Sequence, residues 1–136
     1  MIFVDTNVLM YSVGGEHPLG EEARSFIEES LTQGGRLVTS TEVLQELLHA
    51  YIRADRMTTL THAFKLVDGC MDDVWPVERG DVTLARDLWS AHPGLEARDL
   101  VHLACCHRRE VTALKTFDRA LAAAWRSSSR SSRSGG

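Results

Sequence analysis

Short apolar runs alternate with longer stretches of helical period along this chain. Ile2, Phe3 and Val4 form an opening run of strand formers, interrupted by Asp5, Thr6 and Asn7, which suit the start of a helix. Pro18 and Gly20 mark a turn, after which Ala23, Phe26, Ile27 and Leu31 fall on one helical face with glutamates outside. Gly34 and Gly35 end that helix, and residues 36–40 read as a second strand. Ser40 or Thr41 can cap the next helix, where Val43, Leu44, Leu47, Leu48 and Tyr51 recur at helical spacing. Another helix is expected from about residue 58 to 70. Residues 72–78 read as a third strand held short by Pro76, and residues 80–92 resume the helical period until Pro93 and Gly94 stop it. Asp99 can then open a helix carrying Leu100, Leu103 and Ala104. Residues 111–116 form a fourth strand candidate, and Asp118 begins a short helix that reaches Trp125.

Strands separated by helices predict an α/β fold: a three-layer sandwich whose mostly parallel central sheet, of about four to five short strands, is flanked by helices. Functional groups in such sheets collect beyond the carboxyl ends of the strands. The predicted domain spans residues 1–125, and residues 126–136, rich in Ser and Arg, read as a flexible tail.

With 136 residues, 43% of them hydrophobic, the chain can build one core without disulfides or structural metal. Ordinary Gly and Pro content excludes collagen-like and disordered classes. No run of about 18 apolar residues occurs, so no membrane association and a cytoplasmic location are expected. The three cysteines, Cys70, Cys105 and Cys106, cannot all pair, and packing is their expected role. Net charge is −4, and without the three tail arginines 12 basic residues face 19 acidic ones. This argues against a groove that holds nucleic acid by bulk positive charge, and a polyanionic substrate would need a cation.

Asp5, Asp99 and Asp118 all stand at predicted helix starts. Each alone can be read as a cap accepting hydrogen bonds from free backbone N–H groups. Asp5, however, lies inside an apolar stretch where a carboxylate is costly unless compensated, and Glu46 lies among Leu44, Leu47 and Leu48. If the sheet gathers these four carboxylates, their repulsion is relieved by a divalent cation. An all-oxygen set selects Mg²⁺ or Mn²⁺. Thr6, Asn7, Ser40 and Thr116 lie at the same strand ends and could orient the carboxylates or a water molecule. A zinc site from His102, Cys105, Cys106 and His107 is disfavoured, because neighbouring cysteines point in different directions. These histidines are expected at the helix surface or hydrogen-bonded in the core, and Lys115, Arg108 and Arg109 as solvated charges.

Together, VDTNVLMY at residues 4–11, STEVLQELL at 40–48, ARDLVHLACC at 97–106 and KTFD at 115–118 resemble the PIN-domain ribonucleases, and among them the VapC-type toxins of type II toxin-antitoxin systems. The resemblance runs in order and spacing from Met1 to about Trp125. By motif it implies that Asp5, Glu46, Asp99 and Asp118 are the catalytic and metal-binding acids, with Glu42, one helical turn away, an alternative to Glu46. It further implies an Mg²⁺- or Mn²⁺-dependent endoribonuclease acting on RNA, a homodimer, and silencing by a cognate VapB-type antitoxin. Arg119 stands where some relatives carry further acids, so the fourth position could serve only a second ion.

Two other classes remain open on the residues alone. A receiver-like phosphoacceptor domain also combines a wound sheet, aspartates and a late lysine, here Lys115. It wants a second acid beside Asp5 and an Asp ending a middle strand, where this chain has Thr6 and, after residues 38–40, none. A non-catalytic module would use the acids to accept a basic partner.

Overall fold

A computed structural model describes the backbone of residues 1–134 and the side chains of residues 1–129. It contains β1 (Ile2–Val4), α1 (Thr6–Val13), α2 (Pro18–Thr32), β2 (Leu37–Ser40), α3 (Thr41–Arg53), α4 (Met57–Cys70), β3 (Asp73–Trp75), α5 (Arg79–Leu88), α6 (Ala97–Arg108), β4 (Ala113–Lys115) and α7 (Arg119–Ser134). The four strands form one parallel sheet in the order β3-β2-β1-β4. With helices on its faces this is the expected three-layer sandwich.

The strands are apolar almost throughout because parallel strands are covered on both faces. Phe3, Val4, Leu37 and Val38 are fully buried, as are Val8, Leu9, Val43, Leu47, Leu103 and Leu121 from the helices packed on them. Each such side chain contributes about 1.5–3 kcal/mol through burial. Thr39, also buried, donates to the Val4 carbonyl at 2.9 Å and ties β2 to β1.

Chain order and sheet order part company at β1. From β1 the chain moves outward to β2 and β3, then returns to place β4 on the opposite side of β1. Val4 pairs with Lys115, so the residues that follow these two strands emerge side by side. The helices after them leave the sheet there and open a crevice between the strand ends.

Several boundaries differ from expectation for identifiable reasons. Pro18 and Gly20 lie inside α2: Pro18 occupies its first turn, where a missing N–H costs nothing, and the His17 Nδ1 accepts from the Leu19 amide at 3.1 Å. A Cβ on Gly20 would come within 3.0 Å of the Tyr11 carbonyl, so glycine lets α2 approach α1 closely. At the other end Gly34, at φ 74°, closes the helix, with the Gly35 and Gly34 amides donating to the Ser30 and Leu31 carbonyls. The α6 helix begins at Ala97, two residues before Asp99, with Glu96 at its cap. Residues 126–134, expected as a flexible tail, continue α7, since serine and arginine do not break a helix and neither Gly nor Pro occurs within residues 119–134. The last two residues of that expected tail, Gly135 and Gly136, lie outside the described residues.

Arg108 and Arg109, expected as solvated charges, clamp α6 onto α5. The fully buried Asp81 carboxylate accepts from Arg108 at 2.8 Å and from both terminal nitrogens of Arg109 at 2.7 and 3.0 Å. It also closes a capping box with the Glu78 amide, and the Arg109 guanidinium lies over the Trp75 ring at 5.2 Å. Burial would raise this carboxyl, but the two guanidinium groups and the backbone N–H outweigh it and hold it well below the usual carboxylate range. Asp81→Ala is therefore expected to cost about 2–4 kcal/mol in urea unfolding, because it strands two partly buried cations. A depressed carboxyl stabilises the fold above its unfolded value near 4 and loses that contribution as pH falls further. The stability gap between wild type and Asp81→Ala should accordingly narrow in acid, and a gap that stays constant down to pH 2 would refute the clamp.

Candidate metal centre

Asp5 follows β1 directly, and its backbone N–H donates to the Lys115 carbonyl at the end of β4. This places a carboxylate in the crevice between the two strand ends, 5% exposed. One oxygen accepts from the Thr6 amide at 2.7 Å, which caps α1. The other accepts from the Thr116 hydroxyl at 2.7 Å and lies 3.4 Å from the Asn7 amide nitrogen. Asn7 in turn donates to the Thr116 hydroxyl at 3.1 Å and accepts from the Phe117 amide at 3.1 Å. The Thr116 hydroxyl also accepts from the Asp118 amide. A single network thus ties the residues after β1 to the residues after β4.

Asp118 caps α7, one oxygen accepting from the Ala120 and Leu121 amides at 2.9 and 3.1 Å. Asp99 lies in the first turn of α6. Glu46 reaches in from α3, accepting from the Thr6 hydroxyl and from His102 Nε2 at 2.8 Å. All four acids line one cleft of about 300 Å³, together with Thr6, Asn7, Met10, His49, Ala50 and Arg98. Glu42, one turn before Glu46, is not among its walls. Ser40 does not join the network either: it is fully buried at the start of α3, and its hydroxyl has no hydrogen-bond partner. Of the expected supporting residues, Thr6, Asn7 and Thr116 therefore contact the acids and Ser40 does not.

His102 takes the second of its two expected placements, hydrogen-bonded in the core, but its position among the acids was not foreseen. It is fully buried on α6, its ring packed against Phe3, and its Nε2 sits between Glu46 and Asp5, 3.5 Å from the latter. The available signal was its spacing: His102 stands three residues after Asp99, on the same helical face. Cys105 and Cys106 are buried in the core and His107 meets Ser128 and Trp125, so no thiol–imidazole cluster forms among them.

The charges of the site are unevenly compensated. Burial lowers the His102 value, yet its hydrogen bond to Glu46 and the carboxylates of Asp5, Glu46 and Asp99 outweigh this and raise it. Burial would likewise raise Glu46, but the His102 and Thr6 contacts hold it below its ordinary value. Asp5 is raised, chiefly by burial, against the opposing pull of His102, Thr116 and the Thr6 amide. Asp99 is pushed up to about 6 by burial and by the charges of Asp118 and Asp5. Asp5, Glu46 and His102 offer ligand atoms within 4.8 Å of one another, while Asp99 and Asp118 line the cleft just outside that group. An oxygen-rich donor set with excess negative charge fits a hard divalent cation.

The raised Asp99 gives this site a stability signature. Its carboxyl titrates near 6 in the fold and near 4 when unfolded, so the fold binds the extra proton and metal-free protein loses stability as pH rises from about 4 through 6. Asp99→Asn should stabilise metal-free protein at pH 7.5 by about 1 kcal/mol, after discounting for its partial exposure, and the gain should vanish at pH 4. Thermal melts in chelator at both pH values measure this, and destabilisation at pH 7.5 would contradict the arrangement.

Comparison with known proteins agrees with the geometry. Residues 2–125 match the PIN domain family. The chain is 58% identical over 127 residues to Ribonuclease VapC23 of Mycobacterium tuberculosis, covering 93% of this chain and all of that protein. It is 43% identical over 119 residues to Ribonuclease VapC13 of the same organism, covering 88% of this chain and 91% of the relative. Among solved structures, VapC20 of M. tuberculosis, described as a sarcin-ricin loop cleaving toxin, superposes with a TM-score of 0.74 at 19% identity over 91% of this chain and 95% of that one. FitAcB from Neisseria gonorrhoeae shares the fold with a TM-score of 0.69 at 14% identity, covering 93% and 94% of the two chains. Motif order, a crevice lined by four acids and these matches together place the chain in the PIN-domain family, among the VapC ribonucleases.

Proposed function

We propose that this protein is a Mg²⁺- or Mn²⁺-dependent endoribonuclease, the toxin of a VapBC-type toxin-antitoxin pair. The observation that carries the reading is the convergence of Asp5, Glu46, Asp99 and Asp118 on one cleft at the point where the strand order reverses. The family membership and the ribonuclease names of its relatives support it.

Asp5 and Asp99 would hold the principal cation, with Glu46 and Asp118 completing its surroundings or serving a second one. Bound there, the cation supplies an activated water nucleophile and stabilises charge on the attacking and leaving oxygens of an RNA phosphodiester. The chain's own residues supply the geometry. Thr6, Thr116 and Asn7 fix the Asp5 carboxylate, so its orientation is set before substrate arrives. His102 holds Glu46 in place by its hydrogen bond deep in the site. Attack in line on phosphorus with loss of the 3′ oxygen leaves a 5′ phosphate.

A VapB-type antitoxin is the expected protein partner, and solved toxin-antitoxin assemblies with this fold, such as a complex from Klebsiella pneumoniae, support that expectation. A homodimer is the expected assembly. Leu48 and Ile52 on α3 and Met57 on α4 are exposed apolar side chains that a second copy could cover. Among the described residues no helix is long and apolar enough to cross a membrane.

The test is Asp5→Asn with purified protein and RNA. Cleavage should fall by about 10³-fold or more, as expected when a metal ligand of the reacting centre is lost, with circular dichroism unchanged. Sequencing RNA 5′ ends after brief expression of wild type and of this variant identifies the substrate, and Mg²⁺-dependent cleavage retained by Asp5→Asn would reject the assignment.

A further inference from the structure

The acid cleft contains one permanently charged cation among its described walls, Arg98. Its position is locally unfavourable: it is the second residue of α6, at the positive end of the helix dipole, where a cation is disfavoured. A contact with Glu96 at 3.0 Å offsets this only weakly, since both side chains are more than half exposed. The guanidinium nevertheless lines the same cleft as Glu46, whose carboxyl, despite its burial, is held below its ordinary value by the His102 and Thr6 hydrogen bonds, with Arg98 adding to them. A residue that breaks a local rule at the rim of a charged cleft is a candidate for function rather than folding.

The protein as a whole carries net charge −4, so a polyanion cannot be held by bulk attraction and must be held by donors placed beside the reacting centre. Arginine suits this, because its planar fork meets two phosphate oxygens at once. Across the cleft, His49 stands one turn beyond Glu46 on α3 and is exposed, and Met10 and Ala50 supply an apolar stretch of wall. We propose that Arg98 binds an RNA phosphate adjacent to the scissile one, with His49 as a second donor on the facing wall and the nucleoside packed against Met10 and Ala50. This subsite rests on the endoribonuclease reading. It adds to the metal-holding acids a pair of residues that register the strand and that bind substrate rather than metal.

The experiment uses Arg98→Gln, Arg98→Lys and His49→Ala of the full chain, with an in vitro transcript carrying the cleavage site mapped by 5′-end sequencing. For Arg98→Gln, KM should rise about tenfold and the dependence of log(kcat/KM) on log salt should flatten by about one, as loss of a single phosphate contact requires. The kcat should stay within about twofold, and Mn²⁺ affinity by calorimetry and the melting temperature should be unchanged. Arg98→Lys should keep the salt slope while recovering only part of KM, since lysine keeps the charge but loses the fork. His49→Ala should raise KM by a smaller factor. Unchanged KM and salt slope in Arg98→Gln would overturn the subsite while leaving the nuclease reading intact, and a loss of Mn²⁺ affinity or of melting temperature would overturn it by showing a role toward the metal or the fold. Wild-type protein that binds Mn²⁺ but cleaves no RNA would overturn the nuclease reading, and the subsite with it.

Discussion

The site depends on a carboxylate, Asp5, that β1 delivers into the interior at the place where the strand order reverses. Asp5 is 5% exposed, and burial raises its carboxyl even though a backbone amide, a threonine hydroxyl and a histidine all oppose that effect. The cost of removing a carboxylate from water is thus only partly met by the protein itself. That residual deficit gives the cleft its appetite for positive charge. The network joining Thr6, Asn7, Thr116 and Asp118 to Asp5 also spans the seam between β1 and β4, so the contacts that orient the site hold the two strand ends together.

His102 divides the four acids into two kinds. Its hydrogen bond with Glu46, at 2.8 Å, is partly buried, and that acid is held below its ordinary value. Asp99 is pushed up to about 6 by burial and then by the charges of Asp118 and Asp5. Added positive charge therefore gains most near Asp99, Asp118 and the far side of Asp5, and least beside Glu46, which already has a partner. The imidazole pays for this placement with a buried Nδ1 that finds no hydrogen-bond partner.

Strand and helix identities were legible because parallel strands are apolar runs and the helices between them keep a clean period. Asp5, Asp99 and Asp118 were legible as residues at helix starts, and Glu46 as an acid among leucines, since polarity in an apolar setting is visible without coordinates. What was not legible depends on distances. Choosing Glu46 over Glu42 requires knowing which way α3 faces the crevice. His102 sits in an apolar helix face whose contacts only the packing of α6 on β1 and α3 reveals. Ser40 was misplaced because its strand ends beyond the seam: β2 pairs with β1 on the side away from β4, and the hydroxyl turns into the core. Likewise Arg108 and Arg109 look like surface charges until Asp81 is found beneath them.

The two ends of α6 pose the same physical problem and receive opposite solutions. At its C-terminal end a buried carboxylate, Asp81, meets two guanidinium groups and a backbone amide and is driven well below the usual carboxylate range. At its N-terminal end Asp99 is left among other acids and is driven up. This fold therefore has the means to neutralise a buried acid and uses it where only stability is at stake. A cleft left under-compensated in the same helix is difficult to explain by folding, because unrelieved repulsion lowers stability at neutral pH. It is readily explained if the missing charge comes from outside the chain, as a divalent ion that must remain able to meet substrate. An arginine reaching into the cleft would satisfy the acids permanently and close the site, whereas Arg98, more than half exposed at the rim, leaves the carboxylate oxygens open.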